Sequence, residues 1–562
     1  MSSEYLDFLQ QLQNMYSVYP KRRIIHNSLL ERDIKFACRQ KGYVLSMFLI
    51  ILSFHSFSQT IIAGPVIGAV TDSSANLFFL ADAYAEGFIK ISNEPILLEN
   101  GKINSDANSD NSLIINFKGA DTASKVSLFK MDFLLPDTKY YYLVSYGNDE
   151  KTGSFKTFPK NYLPANFSFT LGSCTEQHHN DSIFVEMQKQ EPAFFLHLGD
   201  WLYPDNFKED KFYYNESLDH QQELYQKRYA MPNLKKLLET TPMDFVFDDE
   251  DGVQDDFSKH SYTELKMSGS VTDINEIPYP DSLRQTTIQG LHTFFPAYQE
   301  VDNQAYHSFV YGNTELFFLD TRSTRSPNSE VFRKTKNGKW KYKVPKGHAL
   351  LDSAQLNWLL AKLQNSKADW KFIVSGVTFN QSYKIVLDMC VRAQKRILPN
   401  GMNGSYIAAS LATMWFAFPE TQTKLLNFCH DNKIKNVVVL SGDAHTAAID
   451  DGKNAGFPEL MAGGLAQKNS RLAAIIQNNL HLNLWNRGGQ GIGNANFNDA
   501  FGKVEVFGKE AVKLSAIDKY GNTICSYHLA DGFIPKHYEL KPRIKIKRVR
   551  ALRNLLRVAL HQ

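Results

Sequence analysis

Between residues 60 and 160, short apolar runs recur at 76–80, 87–91, 112–117, 125–129, 140–144 and 153–157, separated by clusters of Asn, Asp, Gly and Ser. Brief apolar runs punctuated by turn-forming residues predict a β-sandwich. The stretch from Phe158 to Pro164 is expected to serve as a linker. From Asn166 to about Leu529, apolar strand-like runs alternate with amphipathic segments, the pattern of an α/β domain. Ser353 to Leu363 predicts a helix with Asp352 or Ser353 at its N-cap, and Pro419 to Phe428 a second with proline in its first turn. Each precedes a β run, Trp370 to Val374 and Asn436 to Leu440. The expected organisation is a leader over 1–58, a β-sandwich over 59–160, an α/β domain over 165–530 and a tail over 531–562.

The two termini add an expected address. Val44 to Phe54 is an apolar run behind Arg39 and Lys41, followed by small residues as far as Ser58. These are the parts of a secretory signal peptide. The run falls short of the roughly 20 apolar residues of a membrane span, so a secreted or periplasmic protein is expected rather than an anchored one. The polar segment Met1 to Tyr43 is long for a leader, which makes Met47, or a site just upstream of it, a candidate start. At the other end, Lys541 to Arg557 carries eight Lys or Arg residues and no acid. Leu552, Leu555 and Leu556 have helical spacing there, which suits either a solvated helix on the domain or a basic helix touching an anionic membrane surface.

Composition narrows the function classes only slightly. Of 562 residues 43% are apolar and 22% charged, and the net charge of +3 gives no global field of the kind nucleic-acid readers use. The five cysteines, Cys38, Cys174, Cys390, Cys429 and Cys525, form no C-x-x-C pair and imply no dense disulfide framework. No internal repeat and no glycine-rich phosphate loop is present.

The chemistry lies where apolar runs end in polar loops. Four such runs finish at Gly172-Ser-Cys174, Leu198-Gly-Asp200, Phe247-Asp-Asp249 and Ser441-Gly-Asp-Ala-His445. In α/β sheets ligands sit at the carboxyl ends of strands, so these loops are expected to meet at one edge. Asp248, Asp249, Glu250, Asp251, Asp255 and Asp256 place six carboxylates within nine residues. Acids so crowded, and partly buried, require raised pKa values, basic neighbours or bound cations. Such a cluster alone is commonly an exposed loop, but the Phe245-Val-Phe247 strand before it favours cations. Gly199-Asp200 supplies a tight turn and a carboxylate placed to bridge two metals. Asp443 and His445 are spaced to turn towards one site, as metal or catalytic groups, whereas His197, inside its strand, reads as structural. Arg322 and Arg325 either clamp a phosphate through bidentate hydrogen bonds or pin the Asp320 loop.

The ordered series Gly172-Ser-Cys174, His197-Leu-Gly-Asp-Trp-Leu-Tyr203, Phe247-Asp-Asp-Glu-Asp251, Leu319-Asp-Thr-Arg-Ser-Thr-Arg325 and Leu440-Ser-Gly-Asp-Ala-His445 resembles PhoD-type alkaline phosphatases and phosphodiesterases of the calcineurin-like metallophosphoesterase superfamily. The N-terminal block, with its fibronectin-like corner Leu135-Pro-Asp-Thr-Lys-Tyr-Tyr-Tyr142 and its exit at Gly153 to Pro159, fits the same resemblance, which spans roughly residues 60 to 520. The resemblance implies a four-layer αββα metallophosphoesterase sandwich behind a fibronectin-like β-sandwich. It implies a binuclear site with Asp200 as the bridging aspartate, Cys174 and Tyr203 as thiolate and phenolate ligands of ferric iron, and Asp249, Asp443 and His445 completing the set. Iron plus calcium are the cofactors so implied, with manganese or zinc as alternatives. The bland alternatives are Cys174 as a small buried residue and Tyr203 as a packing residue.

The acidic run departs from the family pattern, with Asp255 at a nearby asparagine place and a weightier change at the histidine place. Where Asp-Asp-His-Glu or Asp-Asp-His-Asp is usual, the histidine place holds Glu250. A carboxylate there can act as an acid if its pKa is raised, but it adds negative charge beside a phosphate. Glu250, His445 and Arg322 are the candidate catalytic residues. The expected reaction is attack of a metal-bridging hydroxide on a phosphate mono- or diester. The competing reading is a non-catalytic or altered-specificity binding protein on a phosphatase scaffold.

Overall fold

A computed structural model describes residues 60–538, apart from 83–84, 97, 100–101, 104–112, 119–125, 177–178, 204–216, 253–257, 259, 263–275, 279–280, 338–339 and 394–403. The apolar run 44–54, Cys38, Asp255, Asp256 and the basic tail 541–557 lie outside the described residues. Among the described residues, no helix is long and apolar enough to cross a membrane. Cys174, Cys390, Cys429 and Cys525 are free thiols.

The N-terminal block forms two antiparallel sheets. One pairs Ile61–Gly68, Ala75–Ala81 and Val126–Met131, and the other sets Leu113–Lys118, Glu86–Ser92, Lys139–Tyr146 and Asp149–Lys156 side by side. The 135–142 turn is fastened by its own tyrosine, because the Leu135 N–H donates to the Tyr140 hydroxyl at 2.8 Å.

Two six-stranded sheets make up the rest. The first runs Met243–Phe245, Phe195–His197, Asn166–Gly172, Ala500–Phe507, Ala511–Asp518 and Thr523–Ala530, with its first three strands parallel. The second runs His307–Tyr311, Thr314–Phe318, Trp370–Ser375, Val437–Ser441, Pro458–Ala462 and Ala447–Asp451, with its four central strands parallel. Strands buried on both faces read as unbroken apolar runs, which is why Val437-Val-Val-Leu440 shows no alternation in the sequence.

The alternation reappears in what each side chain touches. Leu316, Phe318, Phe372, Val374, Val438 and Leu440 share a core with Phe169, Leu171, Leu196 and Val504 of the first sheet. Their neighbours Phe317, Ile373, Val437 and Val439 point the other way, against Leu356, Leu359 and Leu363 of the Ser353–Asn365 helix and Leu425 and Leu426 of the Pro419–Asp431 helix. On the far side of the first sheet, Phe195 and Phe245 pack against Phe184, Leu224, Leu234 and Leu291 from four further helices. The two sheets thus share an inner core, and each outer face is covered by helices. Both helices read from the sequence are present. Asp352 is the N-cap of the first, its Oδ1 accepting the Gln355 N–H at 2.8 Å.

The parallel register aligns the strand ends. Gly172 pairs with His197 and His197 with Phe245, while Ser375 pairs with Ser441 and Ser441 with Met461. Every loop that leaves these ends therefore starts at the same edge.

The 158–164 segment begins as packing rather than as a free spacer. Phe158 is 2% exposed, with ring centroids 4.8 Å from Tyr311, 5.6 Å from Phe309 and 5.9 Å from Phe194. It thereby joins the edge strand of the second sheet to the entry of the Phe195 strand. Phe158→Ala is expected to lower stability by about 3–5 kcal/mol, the usual loss for a buried phenylalanine. Urea unfolding of the two proteins checks this; an unshifted midpoint would show that Phe158 does not hold the blocks together.

Candidate metal centre

Cys174 follows the Asn166–Gly172 strand, and its thiol is fully buried. Sγ lies 3.3 Å from Asp200 Oδ2 and 3.0 Å from Ser173 Oγ. Asp200 follows the Phe195–His197 strand, and its Oδ2 also accepts the Tyr203 hydroxyl at 3.2 Å. Two groups of potential metal ligands form around this carboxylate. In Cys174, Asp200 and His445, and again in Asp200, Asp248 and Asp249, one ligand atom from each residue lies within 4.8 Å of the others. Asp200 belongs to both groups.

The backbone is bent to make this convergence. Cys174, Asp200, Asp443 and His445 have φ of 63°, 59°, 62° and 48°, the left-handed region that non-glycine residues avoid. Strain of this kind, of order 1–3 kcal/mol per residue, collects at functional sites because packing there overrides local preference. Glycines make room for the result. A Cβ on Gly199, itself at φ 99°, would sit 2.4 Å from Asp248 Cβ, and one on Gly376 would sit 2.5 Å from Asp248 Oδ1. Neither glycine tolerates a side chain while Asp248 stays in place.

Charge is the second constraint. Asp200, Asp248, Asp249 and Asp251 are each at most 3% exposed. Burial raises Asp200 well above the usual carboxylate range, and Cys174, Asp249, Asp248 and Asp251 raise it further. Burial pushes the Cys174 thiol up to about 12, and it raises the Tyr203 phenol, with Asp200, Cys174 and Glu250 adding to the effect. Asp251 is pushed up to about 7 by burial against the backbone N–H groups it accepts. Left to themselves, Cys174, Asp200 and Tyr203 hold their protons. A cation would displace the protons and take the lone pairs.

Asp200 Oδ1 and Asp248 Oδ2 are buried without a hydrogen-bond partner, although unpaired buried oxygens are costly. They are the atoms a metal would satisfy. The donor set fits two different ions. Thiolate, imidazole and carboxylate, with a phenol beside them, suit a transition metal, whereas three carboxylates suit a hard ion.

Arg322 supplies the protein's own counter-charge. It is fully buried and pairs through Nε with Asp248 Oδ1, and through Nη2 with Asp443 Oδ1 at 3.0 Å and Asp249 Oδ1 at 3.3 Å. Burial opposes its charge, but Asp248, Asp249 and Asp443 outweigh burial and raise it well above its usual value. Asp320 holds the turn beneath it, accepting the N–H groups of Arg322 at 3.0 Å and Ser323 at 2.8 Å.

The sequence-named residues therefore separate. Cys174, Asp200, Tyr203, Asp249 and His445 come together. Asp443 is close by, but its carboxylate faces Arg322 and it joins neither group. Glu250 is 8% exposed and within electrostatic reach of Tyr203. Arg325 lies in the loop interior, with Nη1 3.1 Å from Asn328 Oδ1. His197 is structural, fully buried with Nε2 2.8 Å from Thr175 Oγ1.

Three contributors were not singled out individually in the sequence. Asp248 was one acid of the run 248–256 in the sequence, and its meeting with Asp200 shows only in space. Asp251 Oδ2 accepts the N–H groups of Asp200 at 2.9 Å and Asp248 at 3.0 Å, and its Oδ1 that of Leu202 at 2.8 Å. The 463–470 loop closes over the thiolate side. Leu465 N–H donates to Ser173 O at 2.9 Å, Ser470 N–H to His445 O at 2.7 Å, and Lys468 O lies 3.1 Å from His445 Nδ1.

Comparison with known proteins gives this geometry a lineage. The family model of the PhoD-like phosphatases matches residues 169–505. Alkaline phosphatase D of Bacillus subtilis (strain 168) is 22% identical over 405 residues, which cover 63% of this chain and 61% of that protein. The match thus spans less than two thirds of the relative's length. A solved structure of PhoD superposes with a TM-score of 0.58 at 15% identity, covering 88% of this chain and 96% of the other, a likeness of fold. With the family model matching more than half of its length, this chain belongs to the PhoD-like phosphatase family.

Proposed function

We propose that this protein is an exported, metal-dependent hydrolase of phosphate mono- or diesters, built as an αββα metallophosphoesterase sandwich behind a fibronectin-like domain. The observation that carries the reading is Asp200, shared by two ligand groups in a buried, acid-rich pocket of a PhoD-like fold. The alkaline phosphatase relative supports phosphate esters as the substrate class. The apolar run at 44–54 supports export.

Cys174, Asp200 and His445, with Tyr203 adjacent, are the residues that would hold iron; Asp200, Asp248 and Asp249 would hold calcium, with manganese or zinc as alternatives. Bound there, such ions would supply the positive charge that polarises a phosphoryl oxygen and activates water.

The chain's own residues have separate tasks. Asp200 ties the two groups to one carboxylate. Lys468 O can only accept a hydrogen bond, so the neutral His445 ring carries its proton on Nδ1 and leaves the Nε2 lone pair for a ligand. Arg322 keeps Asp248, Asp249 and Asp443 at fixed spacing and offsets their repulsion. Because it is spent on three carboxylates, Arg322 acts on substrate through the field it sets up rather than as an open clamp.

Asp200→Asn is expected to lower hydrolysis of p-nitrophenyl phosphate and its bis-ester by about 100-fold or more, the scale of losing one preorganised electrostatic group. Full activity in that variant would sink the assignment. A wild-type protein that binds metal yet turns over neither ester at any pH would instead indicate a binding protein on a phosphatase scaffold. Gly199→Ala should weaken metal binding by about 10–100-fold, as loss of a ligand's supporting contacts commonly does, because the new Cβ displaces Asp248. Calorimetric titration of metal-free protein measures this, and an unchanged affinity would remove Asp248 from the ligand set.

A further inference from the structure

Arg228 lies in the last turn of the Leu218–Tyr229 helix, fully buried and remote in sequence from every metal-site motif. Its Nε donates to Trp201 O at 2.6 Å, its Nη2 donates to Thr175 O, and its Nη1 lies 2.9 Å from Met231 Sδ. The guanidinium carbon is 5.5 Å from the centre of the Trp201 ring. Thr175 directly follows Cys174, and Trp201 directly follows Asp200. One rigid fork therefore grips two loops, each at the residue next to a ligand.

The grip has a counterpart on the other side of the same turn. Asp251 accepts the N–H groups of Asp200 and Leu202, while Arg228 donates to the carbonyl of Trp201 between them. The 200–202 turn is thus held at its N–H groups by a carboxyl group and at its carbonyl by a guanidinium. Burial pushes Arg228 down to about 9, so it is charged at neutral pH, with Tyr203, Asp251 and Glu176 favouring the charge. A buried cation is expensive, and an apolar side chain of similar volume fills a core as well or better. Filling space does not account for arginine here, whereas a fixed two-carbonyl fork does.

We propose that Arg228 is a positioning residue of the metal centre: it fixes the spacing between Cys174 and the Asp200–Tyr203 turn, and so sets affinity in the thiolate-containing group. The inference rests on the metal-dependent reading above. Its prediction is selective, because the all-oxygen group of Asp200, Asp248 and Asp249 keeps two ligands that Arg228 does not hold.

The test titrates metal-free wild type, Arg228→Gln and Arg228→Lys with Co²⁺ alone. Readouts are cobalt stoichiometry, thiolate-to-cobalt charge-transfer absorbance and far-ultraviolet circular dichroism. Wild type is expected to bind two ions and show the thiolate band. Arg228→Gln, folded by dichroism, should lose the band, with about 10–100-fold weaker binding of one ion and little change in the other. Arg228→Lys keeps the charge but spans only one carbonyl, so it should fall between them, and it serves if the glutamine variant does not fold. Free guanidinium should restore part of the band in Arg228→Ala. A folded variant with wild-type band and affinity overturns the proposal, as does failure of all the variants to fold, which would assign Arg228 to the core. Wild type that takes up no cobalt overturns the metal-dependent reading itself, an outcome visible before any variant is compared.

Discussion

Mutual repulsion among buried carboxylates is the constraint around which this molecule is arranged. Asp200, brought in from a separate loop, is withdrawn from water together with Asp248, Asp249 and Asp251, with the partly screened Asp443 beside them. Burial raises the pKa values of Asp200, Asp248, Asp251 and Asp443, and neighbouring acids add to the rise at Asp200, Asp248 and Asp443. Arg322, paired with three of the acids, offsets part of the charge. At this site Asp200 Oδ1 and Asp248 Oδ2 still lack hydrogen-bond partners. A site that tolerates this arrangement is one prepared for cations.

The fold makes the arrangement rigid enough to persist. The three parallel strands of the first sheet and the parallel centre of the second bring loops from the first, after Gly172, His197 and Phe245, to the same edge as loops from the second, after Phe318, Ser375, Ser441 and Ala462. Left-handed residues and side-chain-free positions at 199 and 376 then turn those loops inward. The thiolate loop, the Asp200 turn and the 463–470 loop are held mostly through backbone groups, by Asp251, Arg228 and the Ser173 carbonyl. Ligands held in this way cannot relax apart to relieve their repulsion, so the strain is available for metal binding.

Much of this was legible in the sequence, and for a physical reason. Strand-end loops are local, so Gly-Asp at 199–200, Asp-Asp at 248–249 and Gly-Asp-Ala-His at 442–445 could be read from adjacent residues. The unbroken valine run before Ser441 likewise marked a strand buried on both faces. What could not be read was whatever depends on distant segments meeting. Arg228 looks like an ordinary helix cation until its carbonyl partners 27 and 53 residues away are in place. Arg322 had two balanced readings, and only its contacts with Asp248 and Asp443 show where its charge is spent. Asp443 looked like a ligand by motif, yet its carboxylate turns towards Arg322. Phe158 looked like the start of a linker because nothing nearby in sequence reveals the aromatic cluster that receives it. Glu250 has the reverse character. Its identity, and its departure from the family pattern, are plain in the sequence, and the structure adds that its charge bears on Tyr203.

The central claim is that two cations share Asp200. Elemental analysis of purified wild type and Cys174→Ala, each reconstituted with excess iron and calcium and then freed of loose metal, tests it most directly. The account predicts two ions per wild-type chain, one for each ligand group, and selective loss of iron in the variant with calcium retained. One ion or none in wild type, or a full complement of both metals without the thiolate, would contradict it.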